Sequence, residues 1–355
     1  MKKWKSFVFG AGLASLVLGM ALSAIGIRNE GFKDIETAYG KVTFTEDISE
    51  KESKTLKKVS VDVDTQHVLI IPSLDNQIHI RYFVADKQKD KIRHTLKDGT
   101  LSIHEQNHHD SHLELSSGFA PLVSFIQHNQ RNAYNVYIEV PEGLALNEVK
   151  ATVLQGDIKI GDISSQTVFA NSDFGNVNLE QTNFKKGEFK VNQGIIGLNQ
   201  LALEQVTIKS SGQLNIFKSN LSKTDITGED GPVFIQQSNL LESKVTNPDD
   251  TIAMFKGQLT SSQFKTTTGD INFSHTSFTG NNTATTQDGK TQMRLNQKEL
   301  NHLHLFAQTK QGELTSDFDG KQSTQTYEHQ VEPSGNNITL TSDTGDIEIL
   351  NNPYG

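Results

Sequence analysis

"TTTGDINFSHTSF", residues 266–278, reads as a turn followed by a short strand, and its skeleton returns along the chain as "TVLQGDIKI" at 152–160, "NSDFGNVNL" at 171–179 and "TSDTGDIEI" at 341–349. Aligned on the glycine, the units anchor at Gly156, Gly175, Gly194, Gly212 and Gly231, with Asp250 in the next slot and then Gly269 and Gly289. The steps are 19, 19, 18, 19, 19, 19 and 20 residues, and further copies at Gly312 and Gly345 follow after insertions. A stretch that recurs at a fixed period is a building unit rather than an active site.

The columns of this repeat carry the physics. Two residues after the anchor stand Ile158, Val177, Ile196, Leu214, Val233, Ile252 and Ile271, and four after it stand Ile160, Leu179, Leu198, Ile216, Ile235, Met254 and Phe273. A spacing of two along a strand puts both side chains on one face. Further columns, apolar but for Thr207, lie nine after the anchor (Phe184, Leu203, Leu221, Leu240, Leu259, Phe278) and five before it (Ala151, Ala170, Phe189, Thr207, Ile226, Val245, Phe264). Columns that recur every coil stack into one continuous core, with Asp, Asn, Gln, Ser, Thr and Lys outside. A 19-residue unit is too short for a propeller blade of about 40–45 residues. Glycine at the anchor suits a corner with φ > 0, and Asp is among the few residues that tolerate it. The expected fold is all-β: a β-solenoid with coils of about 19 residues, preceded by a single N-terminal transmembrane helix.

Composition agrees with thin layered β architecture: one Trp and no Cys among 355 residues. Without cysteine there are no disulfides, thiolate metal sites or cysteine nucleophiles. Lys2, Lys3 and Lys5 precede an uncharged run over 6–27, long enough as a helix to cross a bilayer at about 33 Å. Lysines before the run and none close behind place the body outside. "ALSA" at 21–24 also suits a cleaved signal peptide, but the run is longer than most signal cores, which favours an anchor. Outside the membrane, 30 of the 33 basic residues remain against 42 acidic ones, a net charge of −12. Such a surface does not attract nucleic acid, and suits cationic peptides or metal ions.

The organisation expected is an anchor over 1–28, a polar spacer over 29–56 in which "KVTFTE" has the pattern of one strand, an N-terminal β module over 57–150 with an insert at 105–132, and solenoid repeats over 151–351. Two segments of the insert attract attention. "HEQNHHDSH" holds His104, Glu105, His108, His109, Asp110 and His112, which would bind Zn²⁺ only if three or four of them converged. In a loop this spacing fixes no geometry, so the reading is a solvated loop with no assigned metal or cofactor. "SSGFAPLVSFIQHN" at 116–129 places Phe119, Leu122, Val123, Phe125 and Ile126 on roughly helical spacing after Pro121. It reads either as a cover over the β body or as a partner- or membrane-touching segment, and is the best candidate for a functional surface. At the far end, Pro353 reads as a block on further strand pairing beyond the last coil.

Enzymatic readings find little support. Solenoids that cleave acidic polysaccharides use Arg or Lys beside the bond, yet Arg294 is the only arginine after Arg131. Asp157, Asp270 and Asp346 share a slot after the anchor, but Asn176, Ile195, Gln213 and Pro232 fill it in other coils, so it reads as a turn preference rather than half of a carboxylate pair. No nucleophile elbow, HExxH or phosphate-binding glycine loop is present. The expectation is that the chain is not an enzyme, with no catalytic, cofactor-binding or metal residue assigned.

"VSVDVDTQHVLIIPSLDNQIHIRYFV", "LKDGTLSIHE" with "YNVYIEVPEGLALNEVKAT", and the "GDI-x-I" units at 156–160, 269–273 and 345–349 resemble the bacterial putative-adhesin family of β-strand-repeat proteins, over roughly 57–350. The resemblance implies an exported surface protein of unknown function. Anchored members are connected with envelope-stress responses in Gram-positive bacteria, and the family supplies no catalytic residues. The combined expectation is a single-pass membrane protein whose extracytoplasmic solenoid is a binding or scaffold surface in envelope-stress sensing. The alternatives are an adhesin contacting host or wall glycan, and a polysaccharide-active enzyme. Expected partners are a membrane regulatory protein, a cationic peptide or a cell-wall component, and no nucleic acid.

Overall fold

The 19-residue period becomes a stack of coils in lateral register. In the computed structural model, described for residues 41–84, 92–105, 136–331 and 335–352, all strands join one continuous mixed sheet, the architecture of a β-solenoid-like fold. Val177 pairs with Ile158 on one side and Ile196 on the other, and the column runs on in parallel through Leu214, Val233, Ile252 and Ile271. A well-formed coil has three strands, as in Leu214–Phe217, Asn220–Ser222 and Asp225–Gly228. Their inward residues Leu214, Ile216, Leu221 and Ile226 are all buried, each worth about 1.5–3 kcal/mol relative to exposure. The transmembrane helix expected over 6–27 lies outside the described residues, among which no helix is long and apolar enough to cross a membrane.

The corners between strands are left-handed, and they are not the glycines. Asp162, Gln181, Gln200, Lys218, Gln237, Lys256 and His275 form one column with φ between 48° and 57°. Gln205, Lys223, Glu242 and Ser261 form a second, continued by Gly280 at φ 65°. A non-glycine residue in this region costs about 1–2 kcal/mol, offset here by hydrogen bonds between coils. Lys218 N–H donates to the Gln236 carbonyl (3.0 Å) and Gln237 N–H to that of Phe255 (2.9 Å). Behind many of the corners sits a buried hydroxyl, as at Ser219, Ser238, Thr224, Ser243 and Ser262. Ser219 Oγ donates to the Phe217 carbonyl (2.9 Å) and accepts from Leu201 N–H (3.1 Å), while Ser238 Oγ donates to Gln236 and accepts from Ser219 N–H. These serines satisfy backbone groups that the short strands leave unpaired.

What the anchor glycines share is close approach rather than a positive φ. Gly156, Gly175 and Gly194 have φ of 158°, 159° and 146°, but Gly212, Gly231, Gly269 and Gly289 have no positive φ, and neither does Asp250. A Cβ on Gly212 would fall within 3.0 Å of the Gly194 carbonyl, one on Gly231 on Gly212, and one on Gly289 on Gly269. The backbones of successive coils meet here too closely for any side chain to lie between them. At Asp250 the corner is rebuilt: buried Asn247 donates through Nδ2 to the Gly231 and Thr251 carbonyls, and the Pro248 carbonyl accepts from Thr267 and Thr268 N–H.

Both ends of the stack depart from sequence order. Asn336–Ser342 pairs with Ile271–Thr286 on one side and His304–Thr309 on the other, and Ile347–Asn351 likewise lies between Thr291–Leu295 and Leu314–Ser316. The last coil in sequence is therefore the second-to-last in space. Thr326–His329 closes the outer edge of His304–Thr309 in antiparallel fashion. The expected block by Pro353 at an open end is corrected accordingly: the strand before it is interior, and Pro353 itself lies outside the described residues. At the other end Lys58–Val63 is sandwiched between Ala145–Gln155 and Thr100–Glu105, and Val68–Ser73 between Ile158–Gly161 and Val136–Pro141. Antiparallel strands cap this end as well, Ile92–Lys97 on Thr100–Glu105 and Ile78–Val84 on Val136–Pro141. Lys41–Ile48, within the segment read as spacer and containing "KVTFTE", adds to Ile78–Val84.

Two outcomes follow from this geometry. Gly212→Ala should cost about 1–3 kcal/mol in urea denaturation through the backbone clash, whereas Gln237→Gly, at a left-handed corner, should be neutral or stabilise by up to about 1 kcal/mol. The reverse ranking would mean that the anchor contact is slack and that the left-handed corner carries no strain for glycine to relieve. A chain truncated after residue 335 should lose hydrogen-exchange protection in Leu314–Ser316 as well as in Thr291–Leu295. Retained protection of 314–316 would mean that the coils stack in sequence order.

Candidate functional site

In the middle coils the second strand is only three residues long between its two corners, as in Ala202–Glu204, Asn220–Ser222 and Asn239–Leu241, whereas in the preceding coils it is the start of an 11-residue strand such as Ser164–Phe174. The middle residue of each short strand points inward, as Leu203, Leu221 and Leu240 do, and its flanking residues point outward. Stacked, these strands form a shallow groove of about 660 Å³ running from Ala145 and Ser164 to Gln258 and Thr260. It crosses Ala145, Ser164, Asn183, Ala202, Asn220, Asn239 and Gln258, one from each of seven successive coils, which is roughly 29 Å at the strand spacing. Its rims carry amides and hydroxyls in ladders: Asn239 Nδ2 donates to Asn220 Oδ1 (2.8 Å) and Gln258 Nε2 to Thr279 Oγ1 (3.1 Å). Leu241 adds an exposed apolar side chain, and the charged residues lining the groove are Lys185 and Glu204. Such a surface can offer a polar contact at each strand step with little net charge.

The residues singled out from the sequence lie elsewhere. His104 and Glu105 are adjacent on Thr100–Glu105 and so face opposite sides: His104 is exposed, while Glu105 is buried and accepts from Asp64 N–H (2.8 Å). They do not converge on one ion. His108, His109, Asp110 and His112 lie outside the described residues, as does the apolar segment 116–129. Asp157, Asp270 and Asp346 have a backbone task. Their Oδ1 atoms accept from Asn176 (2.7 Å), Lys290 (2.8 Å) and Glu313 (2.8 Å) N–H in the adjoining coil, as Asn176 Oδ1 does from Ile195 N–H. Where the slot holds Asp or Asn, its side chain serves as the acceptor for a neighbouring N–H. Ser164, Asn183, Asn220, Asn239 and Gln258 are outward polar positions of the repeat in the sequence, but only the fold shows that they line one channel.

Two overlapping segments, 56–219 and 201–350, match the Toastrack DUF4097 family. The chain belongs to it. This domain of unknown function agrees with the expected putative-adhesin resemblance. Three solved structures are similar to this Toastrack chain at low identity. A putative cell adhesion protein from Clostridium sporogenes ATCC 15579 is 10% identical over 87% of this chain and 99% of that one, with a TM-score of 0.26. A putative adhesin from Bacteroides fragilis NCTC 9343 is 12% identical over 87% and 96%, also with a TM-score of 0.26. A putative lipid binding protein from Parabacteroides distasonis ATCC 8503 is 12% identical over 86% and 96%, with a TM-score of 0.36. No curated protein matches this Toastrack chain.

A histidine cluster secures the strand nearest the N-terminus of the described chain. His79 lies between two carboxylates, Nδ1 2.6 Å from Asp47 Oδ1 and Nε2 2.9 Å from Asp75 Oδ1. Both ring nitrogens donate only in the cation. The hydrogen bond to Asp47 is the largest cause raising the His79 pKa above 6.5, with Asp75 adding to it against desolvation. Lys41–Ile48 is further held by His94 Nε2 on Glu46 (2.8 Å) and by Phe44 stacked on Tyr82. A histidine pKa raised on folding contributes stability that is complete below about pH 6.5 and is lost as pH rises through the folded value. The difference in Tm between the native chain and His79→Gln should therefore be largest near pH 5.5 and shrink by pH 8.5. A difference independent of pH would mean that packing, not the charged ring, holds the strand.

Proposed function

We propose that this Toastrack chain is an exported, membrane-anchored scaffold whose solenoid lies along an extended, uncharged glycan of the cell envelope, binding it without turnover. The observation that supports this best is the groove, whose polar rims repeat once per strand. A polypeptide advances 3.2–3.4 Å per residue and falls out of step with a ladder spaced at about 4.8 Å. A chain of six-membered sugar rings advances by about one strand spacing per ring, so successive rings meet successive coils in the same phase, with an amide or hydroxyl at Ser164, Asn183, Asn220, Asn239 and Gln258. The near-neutral lining favours a neutral chain over the cationic peptides that the net charge alone suggested. The anchor rests on Lys2, Lys3 and Lys5 ahead of the uncharged run at 6–27. With the family resemblance, it supports a scaffold between membrane and wall, where occupancy of the groove would report the state of the envelope in a stress response.

The test is binding of the full chain to N-acetylhexosamine oligosaccharides of increasing length. Affinity should rise with length and level off near roughly seven rings, the number of strands lining the groove. Ser222→Arg with Leu241→Arg should weaken binding by roughly tenfold without lowering Tm. Binding that neither grows with length nor responds to these substitutions would remove the groove from the reading.

A further inference from the structure

On the neighbouring face, the first strands of three successive coils turn aromatic side chains outward. Phe234 and Phe255 are 41% and 37% exposed, and Phe217 is half-buried. Phe217 pairs with Gln236 and Gln236 with Phe255, so the two rings stand two strand spacings apart, about 9.6 Å. Phe234 lies in the coil between them, on the adjoining outward column. Each flanking phenylalanine is followed by a lysine on a left-handed corner: Lys218 Nζ is 4.9 Å from the Phe217 ring centre and Lys256 Nζ 5.1 Å from that of Phe255. The intermediate coil carries Gln236 and Gln237 in the same two places.

The charge here is opposite to that of the whole. The chain has a net charge of −9, yet Leu214–Phe217, Val233–Gln236, Ile252–Phe255 and the corners after them carry no carboxylate. Among the described residues neither Lys218 nor Lys256 pairs with a carboxylate; both rest on aromatic rings instead. An exposed lysine over a ring keeps most of its hydration and remains available to an incoming anion.

We propose that this strip is a second binding site, specific for an extended polysaccharide that carries an anionic group on every second sugar ring. Lys218 and Lys256 stand two strands apart, the separation of successive charges along a chain that advances about one strand per ring. The phenylalanines offer faces of negative potential to the C–H faces of sugar rings, and Asn215, Gln236 and Asn272 supply amides between them. A membrane surface would meet the same charges but has no reason to match their period. The site lies on a different face from the groove and stands whether or not the groove binds glycan.

The experiment compares full-chain binding to oligosaccharides of alternating uronate and N-acetylhexosamine with a neutral N-acetylhexosamine chain, polyglutamate and anionic lipid vesicles. The alternating oligosaccharide should bind this strip. K218A with K256A should weaken it by roughly tenfold, as should F234S with F255S. Ser222→Arg with Leu241→Arg in the groove should leave it unchanged, which separates the two sites. Equal binding of polyglutamate or vesicles, or alternating-oligosaccharide binding that survives both the lysine and the phenylalanine pairs of substitutions, would overturn the proposal. Circular dichroism of each variant confirms that the coils remain folded.

Discussion

Everything in this molecule depends on how closely one coil's backbone lies upon the next. The carbonyl of each anchor corner occupies the space in which a Cβ of the following anchor would stand, from Gly194 under Gly212 to Gly289 under Gly345. That contact leaves no freedom of register. Once it is set, Leu214 must lie over Ile196 and under Val233, and each inward column becomes a continuous apolar rod. The same constraint acts outside. Surface residues 19 apart are held one strand spacing from each other, so a surface property written into successive repeats becomes a stripe.

The ends answer a problem that such stacking creates. A solenoid of identical coils would finish in an open strand edge, a template for further pairing. Here the last coil in sequence is slid inside the stack, and an earlier coil with its antiparallel strand Thr326–His329 is set outside it. The N-terminal end repeats the device with Lys58–Val63 inside and Thr100–Glu105, closed by Ile92–Lys97, outside. A parallel coil followed by an antiparallel cover no longer resembles the interior, which limits recruitment of another chain.

The apolar columns were legible in the sequence because their signal is redundant: Ile158, Val177, Ile196 and Leu214 say the same thing at one spacing. The left-handed corners were not. Gln200, Lys218, Gln237 and Lys256 look like any outward polar residues, and the glycines, which do announce special backbone, announce close approach rather than handedness. Spatial order at the ends was also hidden, since "GDIEI" at 345–349 has the same inward pattern wherever it stacks. The acidic slot at Asp157, Asp270 and Asp346 was read as a turn preference, and its acceptor bonds to the adjoining coil explain that preference. The groove and the aromatic strip depend on which face each column occupies, and that is known only once the corners are placed.

A face built this way measures length as well as chemistry. On an ordinary protein surface, the separation of two recognition groups follows from the accidents of loop geometry. Here it is a whole number of strand spacings, and the number is set by how many repeats lie between them. Asn220 and Asn239 are one step apart, while Phe217 and Phe255 are two. A ligand whose own repeat is close to the strand spacing gains a contact with each added unit, whereas one with another repeat soon slips out of phase. The acidic average of the chain is then a poor guide to what it binds, because a single column changed in two coils is enough to reverse the charge of a stripe. Lys218 and Lys256 do this on a surface whose other columns keep the molecule negative.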